Sequence, residues 1–254
     1  MRTTTNPAIR SLLTSTGTAP AKRATPQRAH PAYRGGGTGR PLTVDDVVTR
    51  TSATLAATVA SALATGYLGR GEIVLPAALL ALGLGLYLTF RPRASIALTL
   101  LYAVTQGVVI GATTKLLDGA FPGVATQAVT GTAAVFVAML VVYRVRLLRL
   151  TTRRVKWFVV VSIGVLALTL VNALAVAVFG VDVGLRGGDG VATVVVSLVC
   201  ICLAAFSLLL SFDAADRMIR HGVSADWAWY LAFGLVMTLV WLYLEIVWLL
   251  SAFR

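Results

Sequence analysis

From Leu42 onward the chain alternates long apolar stretches with short polar or basic breaks. The stretches fall at about 52–69, 73–90, 95–114, 124–143, 157–179, 191–212 and 227–250. Most approach the roughly 20 residues that carry a helix across the hydrocarbon layer. The pattern predicts an all-α polytopic membrane protein with seven transmembrane helices over residues 42–254. Thr43-Val-Asp-Asp46 reads as the start of the first helix, with Thr43 as the cap and the acids in the first turn. The first stretch is rich in Ala and Thr, so its stability in lipid depends on neighbouring helices. The 73–90 stretch is short and carries Pro76, Gly83 and Gly85, which marks a bent helix and the element expected to move. Residues 1–41, rich in Thr, Pro, Gly, Arg and Ala, show no helical periodicity and read as a disordered basic arm. Without the apolar region and cleavage site of a secretory signal, the arm is expected in the cytoplasm.

Composition sharpens this picture. The 254 residues are 57% apolar and 13% charged, against about 25% charged in soluble domains. This excludes a disordered chain and argues against a soluble enzyme. Twenty-two bases against ten acids give a net charge of +12, which in a soluble domain would suggest nucleic acid. Alternating seven spans from a cytoplasmic arm instead puts Arg91, Arg93, the six bases of 144–156, Arg217 and Arg220 inside. Arg70, Lys115, Arg186 and Arg254 fall outside. Ten against four supports an inside N-terminus and an outside C-terminus in the plasma membrane. The excess charge is therefore mostly a topology signal. The 144–156 cluster is expected against anionic headgroups of the inner leaflet, with no nucleic-acid partner. Arg34-Gly-Gly-Gly-Thr-Gly-Arg40 lacks the strand and helix of a phosphate cradle. Cys200 and Cys202 point about 200° apart on a helix and cannot bridge locally.

Ionisable groups within a span cost about 2.5–3.5 kcal/mol on insertion scales, so each is a functional candidate. Glu245 stands in Trp241-Leu-Tyr-Leu-Glu-Ile-Val-Trp248, on an aromatic, poorly solvated helix face. The competing reading is that it snorkels to the outer interface. Asp213 and Asp216, one turn apart at the inner end of the sixth stretch, are either cation-attracting or simply paired to Arg217 and Arg220. Arg91 either pairs one of these acids across the bundle or anchors at the inner surface. Gln106 and Asn172 are secondary candidates, with interhelical hydrogen bonding the plainer role. Gly107 and Gly111 form a GxxxG that favours close helix contact. His221, before Gly222, reads as a cation in the last turn of a helix. No HExxH occurs, and Gly187-Gly-Asp-Gly190 falls in a loop. The chain is therefore expected not to be an enzyme, with no firm metal site and no cofactor beyond transient calcium.

Ser211-Phe-Asp-Ala-Ala-Asp216 followed by Trp241-Leu-Tyr-Leu-Glu-Ile246 resembles the paired signature of the Bax inhibitor family, the transmembrane Bax inhibitor motif proteins. Asn6-Pro-Ala-Ile9, Thr43-Val-Asp-Asp-Val47 and Tyr102-Ala-Val-Thr-Gln-Gly107 are similar to its bacterial branch. The resemblance implies seven helices with the last one central, and a pH-sensitive calcium leak. It also implies a pair of facing carboxylates, here Asp213 and Glu245, acting as pH sensor and cation path, with Arg91 as latch. Two features depart from the family pattern. The seventh-span acid is Glu where Asp is usual. Counted from Gly222, straight antiparallel helices would leave the two carboxylates about 20 Å apart in depth. A membrane stress-response or interaction protein without transport is the alternative.

Overall fold

The computed structural model describes residues 39–68, 73–145, 151–180 and 191–253. Residues 1–38 of the expected arm, Arg70, Arg186, Arg254, residues 146–150 of the basic cluster and the Gly187–Gly190 loop lie outside the described residues. Among the described residues seven α-helices follow in order: α1 Val44–Leu68, α2 Val74–Phe90, α3 Ile96–Ala120, α4 Val124–Arg144, α5 Thr152–Phe179, α6 Val191–Arg220 and α7 Ala228–Ser251. A 3-10 turn, Ala225–Trp227, leads into α7. Six of the helices are long and apolar enough to cross a membrane, and α2 is a shorter apolar helix of 17 residues. The chain is an all-α polytopic membrane protein.

Each helix coincides with one of the apolar stretches, but several run on into polar sequence. α1 begins eight residues before its stretch because Thr43 and Asp46 cap it reciprocally. The Asp46 N–H donates to Thr43 Oγ1 at 3.3 Å, while Thr43 N and Oγ1 donate to Asp46 Oδ2 at 3.1 and 2.7 Å. Orphan N–H groups of the first turn are satisfied in this way. α6 continues two turns past Phe212 because each acid there reaches a base one turn on, Asp213 to Arg217 and Asp216 to Arg220, both at 2.6 Å. Pro76 sits in the first turn of α2, where a missing N–H breaks no helical bond, so the helix runs unbroken through Gly83 and Gly85.

Gly222 ends α6. Its φ is +62°, and the N–H groups of Gly222 and Val223 return to the carbonyls of Ile219 and Met218 at 3.0 and 3.2 Å. This left-handed cap is disfavoured for any residue with a Cβ, by roughly 1–2 kcal/mol. Gly222→Ala should therefore lower the stability of the detergent-solubilised protein by about 1 kcal/mol, read from thermal unfolding. His221 occupies the last turn as expected, with its Nδ1 2.7 Å from the Arg217 carbonyl.

α7 is the hub. It packs against α1, α3, α4 and α6, while α1 lies on α3, α2 on α3, and α5 on α6. Half of the most apolar stretch of α7 is buried, against 6% for α5. Leu242 and Val247 of α7, with Leu208 of α6 and Val124 of α4, are fully buried in the main apolar cluster. A second cluster joins Leu88 of α2, Tyr102 of α3 and Phe233 of α7, with the two rings edge to face at 4.8 Å.

The closest approach is between α1 and α3. A Cβ on Gly107 would strike the Thr58 carbonyl oxygen and lie 2.8 Å from Ser61 Cβ. One on Gly111 would strike the Ala62 carbonyl oxygen and lie 2.9 Å from Ala62 Cα. Ser61 Oγ also donates across this contact to the Val104 carbonyl at 2.7 Å. The segment ahead of α1 is stitched to the α6–α7 turn: Leu42 N–H donates to Val223 O at 2.8 Å and Ala225 N–H to Arg40 O at 3.0 Å. Arg50 adds a bond to Ala225 O at 2.6 Å and lies over the Trp229 ring. Arg40 also pairs with Asp46. The last residues assigned to the arm, Arg40 and Pro41, therefore belong with the bundle.

Candidate functional site

Glu245 is 2% exposed and lies on the central helix, enclosed by the bundle. The geometry decides against snorkelling. Its Oε1 accepts a hydrogen bond from the indole N–H of Trp241, one turn earlier, at 3.1 Å. The i to i+4 spacing brings the two side chains onto one face, and a buried carboxyl gains most from a donor where water is excluded.

The partner helix is fixed by a polar contact two turns below. Ser207 Oγ of α6 lies 3.4 Å from Thr238 Oγ1 of α7. Thr238 already spends its one hydroxyl proton on the Gly234 carbonyl at 2.9 Å, so Ser207 is the donor. Glu245 is seven residues, two turns, beyond Thr238 and shares its α6-facing side. On α6, Cys200 is seven residues before Ser207 and comes level with Glu245 on the facing side. Cys200, Ser197 and Thr193 are all buried along this edge. The α6–α7 seam thus carries a strip of small polar groups, with Glu245 its ionisable member. Cys202 faces outward, and neither cysteine is in a disulfide.

Asp213 is elsewhere. It lies six residues past Ser207 toward the α6–α7 turn, while Glu245 lies seven past Thr238 away from it. The offsets add, giving about 20 Å in depth at 1.5 Å per residue. The faces differ as well. Phe206, whose ring meets Phe158 of α5 at 5.2 Å, is seven residues before Asp213, so Asp213 shares the α5-facing side of α6. The structure therefore does not bring Asp213 and Glu245 together as a facing pair, because register and helix phase both separate them. The Asp213 carboxylate is held by Arg217 and Asp216 by Arg220, with the Tyr143 hydroxyl of α4 donating to Asp216 at 3.1 Å.

Arg91 caps the end of α2, where its backbone N–H donates to Tyr87 O at 2.8 Å. Its side chain is exposed and forms no ion pair with either acid among the described residues, so the latch contact is not made. Asn172 of α5 is buried, and Gln106 of α3 is half-buried beside the glycine contact. Among the described residues, no three His, Cys, Asp or Glu side chains gather as a metal site.

Sequence reasoning passed over Trp241 as a hydrogen-bond donor, the Ser207–Thr238 contact, Tyr143, and the pair between Thr114 Oγ1 and Tyr243 OH at 2.8 Å. The i−4 spacing could have revealed the first. The others depend on helix register.

The family model described as Bax inhibitor 1 like matches residues 6–254, which takes in every helix among the described residues. The chain belongs to the Bax inhibitor family. No curated protein matches it closely enough to count as a relative. Family membership and the central last helix agree with the fold that the paired motifs around Asp213 and Glu245 implied.

Proposed function

We propose that this Bax inhibitor family protein is a passive, proton-modulated cation leak with calcium as the permeating ion. It would lie in the plasma membrane with the N-terminus inside. Glu245 carries the reading: a buried carboxyl on the hub helix, facing a polar strip between two helices. A carboxylate there attracts a cation with hard oxygen ligands and, once protonated, ceases to do so. Asp213, with Arg217, stands at the other end of α6 and acts as a separate station near the surface, not as one half of a shared-proton dyad. Arg91 anchors at that same surface. Orientation rests on the ten bases against four. Asp216 is a member of the end cluster, and Gln106 and Asn172 tie helices together.

The test is calcium release from vesicles reconstituted with the full chain, followed across pH for wild type, Asp213→Asn, Glu245→Gln and the double variant. Groups about 20 Å apart on different faces should act independently, with their effects on log leak rate adding. Strong non-additivity would restore the coupled pair. Release no faster than from empty vesicles at every pH would abandon the leak for the alternative of a membrane stress-response protein that binds partners and transports nothing.

A further inference from the structure

α1 and α4 flank a groove of about 1470 Å³ whose floor is α3 and α7. Its walls are aliphatic, with Leu63, Gly66, Val129, Ala133, Leu239 and Val240 typical. Because these helices are spans, the groove opens sideways into the bilayer, and whatever fills it must partition there. From Ala125 to Tyr143 along α4 it covers about 27 Å, close to the full hydrocarbon thickness.

The charges at its two ends differ. At the end nearer the α6–α7 turn, Asp216 is neutralised by Arg220 and bonded by Tyr143. At the opposite end stand Lys115 and Asp118. The Asp118 carboxylate accepts the Gly123 N–H at 2.9 Å, which ties it to the α3–α4 turn. Lys115 is exposed and has no ion-pair partner among the described residues. Among the described residues the rim therefore offers an ammonium that is in no ion pair, beside the Thr114–Tyr243 hydroxyl pair, while the Asp118 carboxylate one turn on is held at the α3–α4 turn. Tyr67, 93% exposed at the end of α1, stands at the depth where aromatic side chains meet headgroups.

We infer that the α1–α4 groove is a binding site for an anionic phospholipid. The phosphate of this lipid meets Lys115, and its acyl chain runs over Gly66 and Ala133 toward Leu239. The lipid belongs to the leaflet at the Lys115 end. A zwitterionic lipid carries the same chain but meets Lys115 with its own cation alongside, so headgroup selectivity reads out the lysine while total occupancy reads out the groove.

The experiment is native mass spectrometry of the purified full chain in detergent with equimolar phosphatidylglycerol and phosphatidylcholine. Wild type should retain the anionic lipid about fivefold more, the attraction of one lysine for an anionic surface. Lys115→Gln should erase that preference and keep the total. Ala133→Trp, placed on an exposed wall position, should fill the groove and lower retention of both lipids. Preference surviving in Lys115→Gln, or undiminished retention in Ala133→Trp, would overturn the assignment. So would isolation of the wild type as a dimer cross-linked through α1 and α4, which would make a second copy the occupant.

Discussion

Gly111→Val should leave little folded protein in the membrane fraction. The added Cβ collides with the carbonyl of Ala62, which is helix backbone and cannot rotate away as a flexible side chain would. α1 and α3 must then separate along the contact that also holds the Ser61 to Val104 hydrogen bond. Overpacking a core ordinarily costs about 1–3 kcal/mol, and a collision with main chain belongs at or above the top of that range. Separation also exposes the Ala- and Thr-rich face of α1, whose burial the glycine contact secures. Gly66→Ala is the control: its Cβ would find only Gly111 O, at 3.8 Å, and the helix gains propensity. Chromatographic homogeneity and thermal unfolding in detergent separate the two. Equal stability of Gly111→Val and wild type would mean that the α1–α3 contact is not as close as described.

Substitutions at Glu245 should divide by charge. Glu245→Gln keeps the shape and an acceptor oxygen for the Trp241 N–H, so it should fold like wild type. Lacking a titratable proton, it should leak at all pH values as wild type does when Glu245 is protonated. Glu245→Lys puts an ammonium, which offers only donors, against the indole N–H in a space 2% open. Insertion scales place such a cation at about 2.5–3.5 kcal/mol, and expression and detergent stability should fall accordingly. Leak from Glu245→Gln vesicles that follows the wild-type pH curve would remove Glu245 as the sensor while leaving its structural place intact.

The helices were legible because span length, the Thr43 cap and the Gly222 stop are local signals. The GxxxG at Gly107 and Gly111 was legible as a close contact, though not which helix it receives. What escaped was phase and register between helices. Whether Asp213 faces α7 depends on how α6 rotates between α5 and α7, and Phe158 against Phe206 decides that. The depth offset from Glu245 could be counted from Gly222, because a left-handed cap fixes where a helix turns back. Arg91 was legible as a cation at a helix end but not its neighbours: α2 packs on α3, and among the described residues the exposed Arg91 pairs with neither acid. Tyr143 and Thr238 carry no sequence signature, since a lone hydroxyl in a span acquires meaning only from its neighbour.

The position of α7 bears on how the molecule is made. Domains and segments emerge from the ribosome N-terminal end first, so α1 to α6 enter the bilayer before the helix against which four elements pack has been synthesised. Until then α1, α3, α4 and α6 lack their common support, although contacts among the first six helices, α1–α3 and α2–α3 foremost, can already form. Assembly is thus held open until α7 is made and then closes in one step. At that step α7 threads to the centre and the α6–α7 turn clasps the segment ahead of α1.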